Sequence, residues 1–358
     1  MSKTSNPSRS TARSARIAAI EAEAGRRILV LDGAMGTQIQ GFGFTEEDFR
    51  GDRFGDWAKP LKGNNDLLNL TRPEAIHAIH ERYIAAGADL IETNTFSATS
   101  IAMADYGMEA EAAEIATEGA RLARDAADGA GRPVGVLGAI GPTNKTLSLS
   151  PDVNDPGYRD VTFEHVRAAY HQQAVAMAPH IDFFLIETVF DTLNAKAAIK
   201  ALLDHRAETG EAIPIIISGT ITDASGRTLS GQTAEAFWYS VRHAQPWAVG
   251  LNCALGADLM RPHIASVSKV ADTRIIAYPN AGLPNAFGEY DETPDQTAGH
   301  LGEWAGAGLV NIVGGCCGTT PGHITAIAGA AKGQPPRTIP STDRAMRLSG
   351  LEPFELAS

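Results

Sequence analysis

Short, largely apolar runs recur along the chain at 28–31, 90–93, 134–137, 183–186, 215–217, 248–251, 275–277 and 310–313. Runs of this length and character suit strands buried on both faces. Between them lie stretches with helical periodicity: RPEAIHAIHERYIAAG, AEAAEIATEGARLARDAAD, FEHVRAAYHQQAVAMAP, TLNAKAAIKALLDHRA, TAEAFWYSVRHA, DLMRPHIASVSKVA and TAGHLGEWAGAG. A further segment, ARIAAIEAEAGRR, predicts a short helix ahead of the first strand. Strands alternating with helices predict a parallel sheet, and eight such units predict an α/β chain folded as a single (β/α)8 TIM-type barrel.

Nearly every apolar run leads into a polar or glycine-rich cluster: DGAMGT, ETNTF, GAIGPTN, ETVFD, SGTITD, NCALG, YPNAG and GGCCGTT. In a barrel these are the carboxyl ends of the strands, so the clusters converge on one face and predict one site there. No linker divides the chain, which places the barrel at 17–333. Residues 1–16, rich in Ser, Thr and Arg, are expected to be a disordered basic N-terminus, an organelle transit peptide being the alternative. The Pro/Ser-rich residues 334–358 are expected to form an extended tail or linker.

Composition narrows the function classes. With 30 Lys and Arg against 42 Asp and Glu, the formal charge is −12, which excludes binding nucleic acid by phosphate neutralisation. No apolar run approaches the roughly 18 residues that cross a bilayer, so no membrane association is expected. The three cysteines, Cys253, Cys316 and Cys317, are odd in number and follow no signal-peptide core, which predicts reduced thiols in a cytoplasmic protein.

Cys253 follows the sixth predicted strand and the Cys316-Cys317 pair the eighth, so a barrel brings all three to the same face. Three thiolates with one open position describe a catalytic zinc site. The alternative is three small core residues, or a glycine-rich phosphate loop at Gly314, Gly315 and Gly318. Asp32, Glu92, Glu187 and Asp191 also follow strands, and an acidic mouth suits an ammonium group. Backbone amides from Gly33 to Met35 offer a place for a carboxylate, and Asn94, Thr95, Ser218, Thr220 and Asn252 add neutral hydrogen-bonding groups. Acids plus an anion nest fit an amino acid. His77 and His80 are expected on a solvated helix face, and His323 at a helix cap.

The motifs LDGAMGTQIQ, NDLLNLTRPEAI, ETNTF, GAIGPTNKTLSLSP, IETVFDTLNAKAA, SGTITDASGRTLSGQT, GLNCALG, YPNAGLPNAFGEYD and NIVGGCCGTTPGHI together resemble the homocysteine S-methyltransferase family. The resemblance is strongest to the homocysteine-binding N-terminal module of cobalamin-dependent methionine synthases, and RLSGLEPF extends it into the tail. It implies that Cys253, Cys316 and Cys317 hold Zn2+ and that Asp32 and Glu187 bind the amino group of L-homocysteine. It further implies substrate-binding roles for Ser218, Asn94 and Asn252. The expected reaction is methyl transfer to the homocysteine thiolate, giving methionine. The resembled synthases also carry folate-binding, cobalamin-binding and reactivation modules, and no D-x-H-x-x-G cobalamin pattern occurs here. Methylcobalamin is therefore expected to be presented by a separate folate- and cobalamin-binding chain, the alternative being a further module of a longer protein of which this chain is a piece. The alternatives are direct use of betaine or S-methylmethionine, and a module that binds zinc and homocysteine without turnover alone.

Overall fold

The structure, a computed structural model, describes residues 7–222 and 225–357. Its centre is an eight-stranded parallel sheet of β1 (Leu29–Val30), β2 (Leu90–Glu92), β3 (Gly135–Ile140), β4 (Phe183–Val189), β5 (Ile215–Gly219), β6 (Ala248–Gly256), β7 (Arg274–Asn280) and β8 (Ile312–Val313). The strands follow the order β1-β8-β7-β6-β5-β4-β3-β2. A parallel bridge between Leu31 and Leu90 joins the two ends, so the sheet closes on itself. All eight predicted strands are present, and helices flank them as the periodicity requires.

Alternation along each strand divides the core in two. Leu29, Leu31, Leu90, Leu137, Phe183, Leu185, Ile216 and Ile276 point into the barrel and form one apolar cluster. Their neighbours Val30, Ile91, Val136, Phe184, Ile217, Val249 and Ile275 belong to the larger cluster between sheet and helices. Period-two alternation explains why the runs are largely apolar at successive positions: both faces are buried.

The helix Pro7–Ala24 revises the expectation of disorder over residues 1–16, as far as those residues are described. Its Ile20 and Ala24 join the barrel-interior cluster. The Arg13 guanidinium donates to the Ile181 and Ala178 carbonyls and pairs with Glu211, while Arg16 pairs with Asp182 at 2.7 Å. A basic segment that reads as solvated is thus ordered by carboxylates and carbonyls at the amino ends of the strands.

The expected extended tail also differs. Residues 345–357 form an antiparallel hairpin, β9 (Ala345–Ser349) and β10 (Pro353–Ala357). It is held to the barrel by Gln232 Nε2 donating to the Ser349 hydroxyl and the Gly350 carbonyl, and by Tyr239 donating to Glu355. The helix Pro73–Ala85 supplies a third correction. His80, expected in solvent, is fully buried on the stripe Ile76, Ile79, Tyr83 and Ile84, and burial lowers its imidazole to about 3. No helix among the described residues is long and apolar enough to cross a membrane.

Candidate metal centre and substrate pocket

The carboxyl ends of the strands surround a cavity of about 1110 Å3, just above the roughly 300–1000 Å3 usual for small-molecule sites. Cys253, Cys316 and Cys317 line it together with Asp32, Glu92 and Glu187.

Strained and closely packed backbone positions the cysteines. Cys253 and the following Ala254 have φ of 60° and 49°, left-handed values that cost non-glycine residues roughly 1–2 kcal/mol each. The β6–β7 register shifts between Asn252 and Gly256, so Cys253 stands on a local irregularity of the strand. The Cys316-Cys317 turn is held from both sides. Cys316 N donates to the Pro279 carbonyl at 2.8 Å, Ala281 N donates to the Cys317 carbonyl at 2.9 Å, and the Thr319 hydroxyl donates to the Cys316 carbonyl at 2.6 Å. Gly318, at φ 82°, has no room for a β-carbon against the Tyr290 ring.

The three Sγ atoms lie within 4.8 Å of one another, and Cys253 Sγ is 3.8 Å from Cys317 Sγ. Sulfurs about 2.3 Å from a tetrahedral ion are separated by about 3.8 Å, so this donor set fits zinc without rearrangement of that pair. The thiols polarise one another. Hydrogen bonds from Cys253, then Cys316, and from the Tyr290 hydroxyl hold Cys317 well below the usual thiol range. Cys316 is held up by its hydrogen bonds to Cys253 and Cys317 and by burial. Beside them on β7, Asn280 Oδ1 is buried without a hydrogen-bond partner.

The carboxylates occupy the ends of β1, β2 and β4. Asp32 and Glu187 are 2% and 5% exposed, and the Glu92 backbone N–H donates to Asp32 Oδ2 at 3.1 Å. Burial raises all three carboxyls, and mutual repulsion adds to it. No Lys, Arg or His lines the cavity among the described residues. Asp66, also in the wall, is pushed up to about 7 by burial against the opposing N–H of Ser97.

Of the other expected site residues, Asn94 lines the cavity, its side-chain amide donating to the Asn65 carbonyl and Asn69 Oδ1. Ser218 and Asn252 are fully buried behind the wall. There the Ser218 hydroxyl donates to Asn252 Oδ1, which also accepts the Thr188 N–H, and Asn252 Nδ2 donates to the Thr188 hydroxyl. This clamp holds the β-branched Thr188 at φ 54°, next to Glu187. Asp191 lies outside the cavity wall, capping the helix Thr192–Thr209 and accepting hydrogen bonds from Leu147, Ser148 and Leu193. Thr95 is likewise turned away, onto the Ala139 carbonyl. The Ala34 N–H of the expected anion nest is already engaged, donating to the Thr319 hydroxyl. His323 does cap, closing a reciprocal pair with Thr320. Thr188, Tyr290 and Asp66 escaped the sequence reading. All three sat inside quoted motifs, but the strain at Thr188 carried no signal because it is set by Asn252.

The sequence profile of the homocysteine S-methyltransferase family matches residues 29–331. Among solved structures, the oxidized form of the homocysteine methyltransferase MmuM from Escherichia coli superposes with a TM-score of 0.68 at 22% identity, over 88% of this chain and 99% of that one. The metallated form of the same protein gives 0.66 at 23% identity, over 85% and 96%. At these identities the likeness concerns the fold.

Proposed function

Because the chain belongs to the homocysteine S-methyltransferase family, we propose that it makes methionine at a zinc centre held by Cys253, Cys316 and Cys317. The observation that carries this reading is one cavity holding three cysteine sulfurs within 4.8 Å of one another beside carboxylates that meet no cation among the described residues. Bound zinc would act as a Lewis acid that keeps the homocysteine sulfur deprotonated at neutral pH, where a free thiol with a pKa of about 8.5 is mostly protonated.

The chain's own residues do the rest. Asp32 and Glu187 take the ammonium group in a pocket where no side-chain cation competes. The clamp of Ser218 and Asn252 on Thr188 fixes the backbone that carries Glu187. With the amino end anchored, the sulfur faces the cysteines and attacks the donor methyl in line. The S–CH3 bond forms as the donor–CH3 bond breaks, and its electron pair leaves with the donor. Proximity of this kind supplies a large share of the barrier reduction.

For the donor we favour methylcobalamin presented by a folate- and cobalamin-binding partner chain or module, with Zn2+ the group bound here. The support is the motif detail of GLNCALG, YPNAGLPN and RLSGLEPF, together with the cavity volume, which leaves ample space beyond one amino acid. One observation favours a second reading: a wall with acids but no Lys, Arg or His suits a positively charged small donor such as a sulfonium or quaternary ammonium. Methionine formation by the zinc-loaded chain with L-homocysteine and methylcobalamin, betaine or S-methylmethionine as sole donor separates them. Product from methylcobalamin alone supports the first, product from a small onium donor supports the second, and homocysteine binding without product from any of them identifies a binding module. A chain that retains no zinc, or stays fully active as Cys316→Ala, refutes the zinc reading.

A further inference from the structure

Two carboxylates would suffice for one ammonium group, yet the pocket floor holds three. Glu92 ends β2 beside Asp32, and neither Glu92 Oε1 nor Asp32 Oδ1 has a hydrogen-bond partner although both are buried. The groups facing this pair are Glu187 on β4, Tyr83 from the helix Pro73–Ala85 and Tyr278 on β7, while Asp66, beside the helix Leu68–Thr71, and Cys317, after β8, face Glu187 in turn. All are acids, phenols or thiols, and none brings a positive charge. The Tyr83 hydroxyl is engaged with the Ala34 and Thr319 carbonyls, so it neutralises nothing. Desolvated like charges of this density do not all remain ionised without a counter-ion.

We propose that Asp32 and Glu92 hold one proton between them in the empty site and release it to solvent when the ammonium group of an α-amino acid binds. The inference rests on the homocysteine reading and deepens it, since amino-group capture becomes an exchange of one cation for another. The pocket then discriminates by charge. A ligand without a free ammonium leaves the proton in place and gains no ion pair. Glu92 serves as a positioning residue that sets the protonation of Asp32. The balance is simple: the ammonium enters with its three protons, the carboxyl pair loses one, and no bond to carbon or sulfur changes.

Isothermal titration of the zinc-loaded chain with L-methionine, whose thioether has no acidic proton, in two buffers of different ionisation enthalpy counts the protons released. About one proton per methionine bound is expected for the wild type. Glu92→Gln should cut that number by at least half while still binding, and Asp32→Asn provides the second variant. With L-homocysteine, whose thiol gives up its own proton, the same deficit should separate Glu92→Gln from the wild type. Infrared difference spectra should show a protonated-carboxyl C=O band lost on ligand addition in the wild type and absent in Glu92→Gln. Equal enthalpies in both buffers, or undiminished release in both variants, overturns the proposal. If neither amino acid binds the wild-type chain, the homocysteine reading itself fails and the proposal with it.

Discussion

The two ends of the barrel treat buried carboxylates in opposite ways. At the amino ends of the strands, Asp182 is fully buried but meets Arg16 and Arg124 at 2.7 and 2.8 Å and accepts the Val136 N–H. Asp89 there is paired with Arg27 through two bonds of 2.7 and 2.9 Å, with Arg132 adding a third contact. At the carboxyl ends, Asp32 and Glu187 are buried and Glu92 is half-buried beside them, and no guanidinium or ammonium meets them among the described residues. One end satisfies its charges within the chain and is plugged by the helix Pro7–Ala24. The other leaves them for a ligand and stores backbone strain at Thr188, Cys253 and Ala254. The same fold therefore separates stability from function along its axis.

The comparison breaks most sharply at the cysteines. Cys316→Ala should lose retained zinc and about three orders of magnitude in methionine formation, as expected for several kcal/mol of transition-state stabilisation. Its thermal midpoint should change little, and metal analysis with a melting curve checks both parts. Next in size is the opposite end. Asp182→Ala leaves Arg16 and Arg124 without their buried partner and should cost about 3–5 kcal/mol of stability, with kcat per folded molecule unchanged. Denaturant titration beside an activity assay would reveal any catalytic effect, which would contradict the separation.

Glu187→Gln should do the reverse, weakening homocysteine binding by about 2–3 kcal/mol, read as a raised KM, while leaving stability equal or higher. A smaller effect tests the unpaired acids through pH. Asp66 titrates near 7 in the folded chain against 3.8 for the free side chain, so between these values the native state holds the extra proton. Its stabilising contribution is complete below about pH 4 and is lost as pH rises through 7, with a slope near 1.4 kcal/mol per pH unit. Asp32, Glu92 and Glu187 act in the same direction. Urea midpoints between pH 5 and 7 should therefore fall with pH in the substrate-free protein, and Asp66→Asn should remove one group's share of that slope. The smallest change is expected where neither end is involved. Arg261→Ala, losing an exposed pair with Glu303, should alter stability by no more than about 0.5 kcal/mol.

His80 shows that part of what the sequence reading missed was legible. Ile76, Ile79, His80, Tyr83 and Ile84 follow the spacing of one helical stripe, and the polarity of the imidazole hid a position the periodicity assigned to the core. Asp191 shows the contrary case. It follows β4 four residues after Glu187, yet its side chain caps a helix, because an aspartate one residue before a helix can satisfy free backbone amides locally. Ser218 and Asn252 lie between these extremes. Their position at strand ends was readable, but whether they meet ligand or hold Thr188 depends on which neighbours close over them.

By itself the sequence determined the barrel, its eight strands, the single face that carries the chemistry, and the three cysteines. These follow from local periodicity and from the rule that parallel strands present their carboxyl ends together. Only the tertiary structure decided that Arg13 and Arg16 order the N-terminal helix, that residues 345–357 fold back as a hairpin, and that Asp182 is neutralised while Asp32 and Glu92 are not. The reason is distance: whether a buried charge meets a counter-charge depends on partners far away in sequence, 166 residues in the case of Arg16 and Asp182, and no local pattern encodes such a meeting.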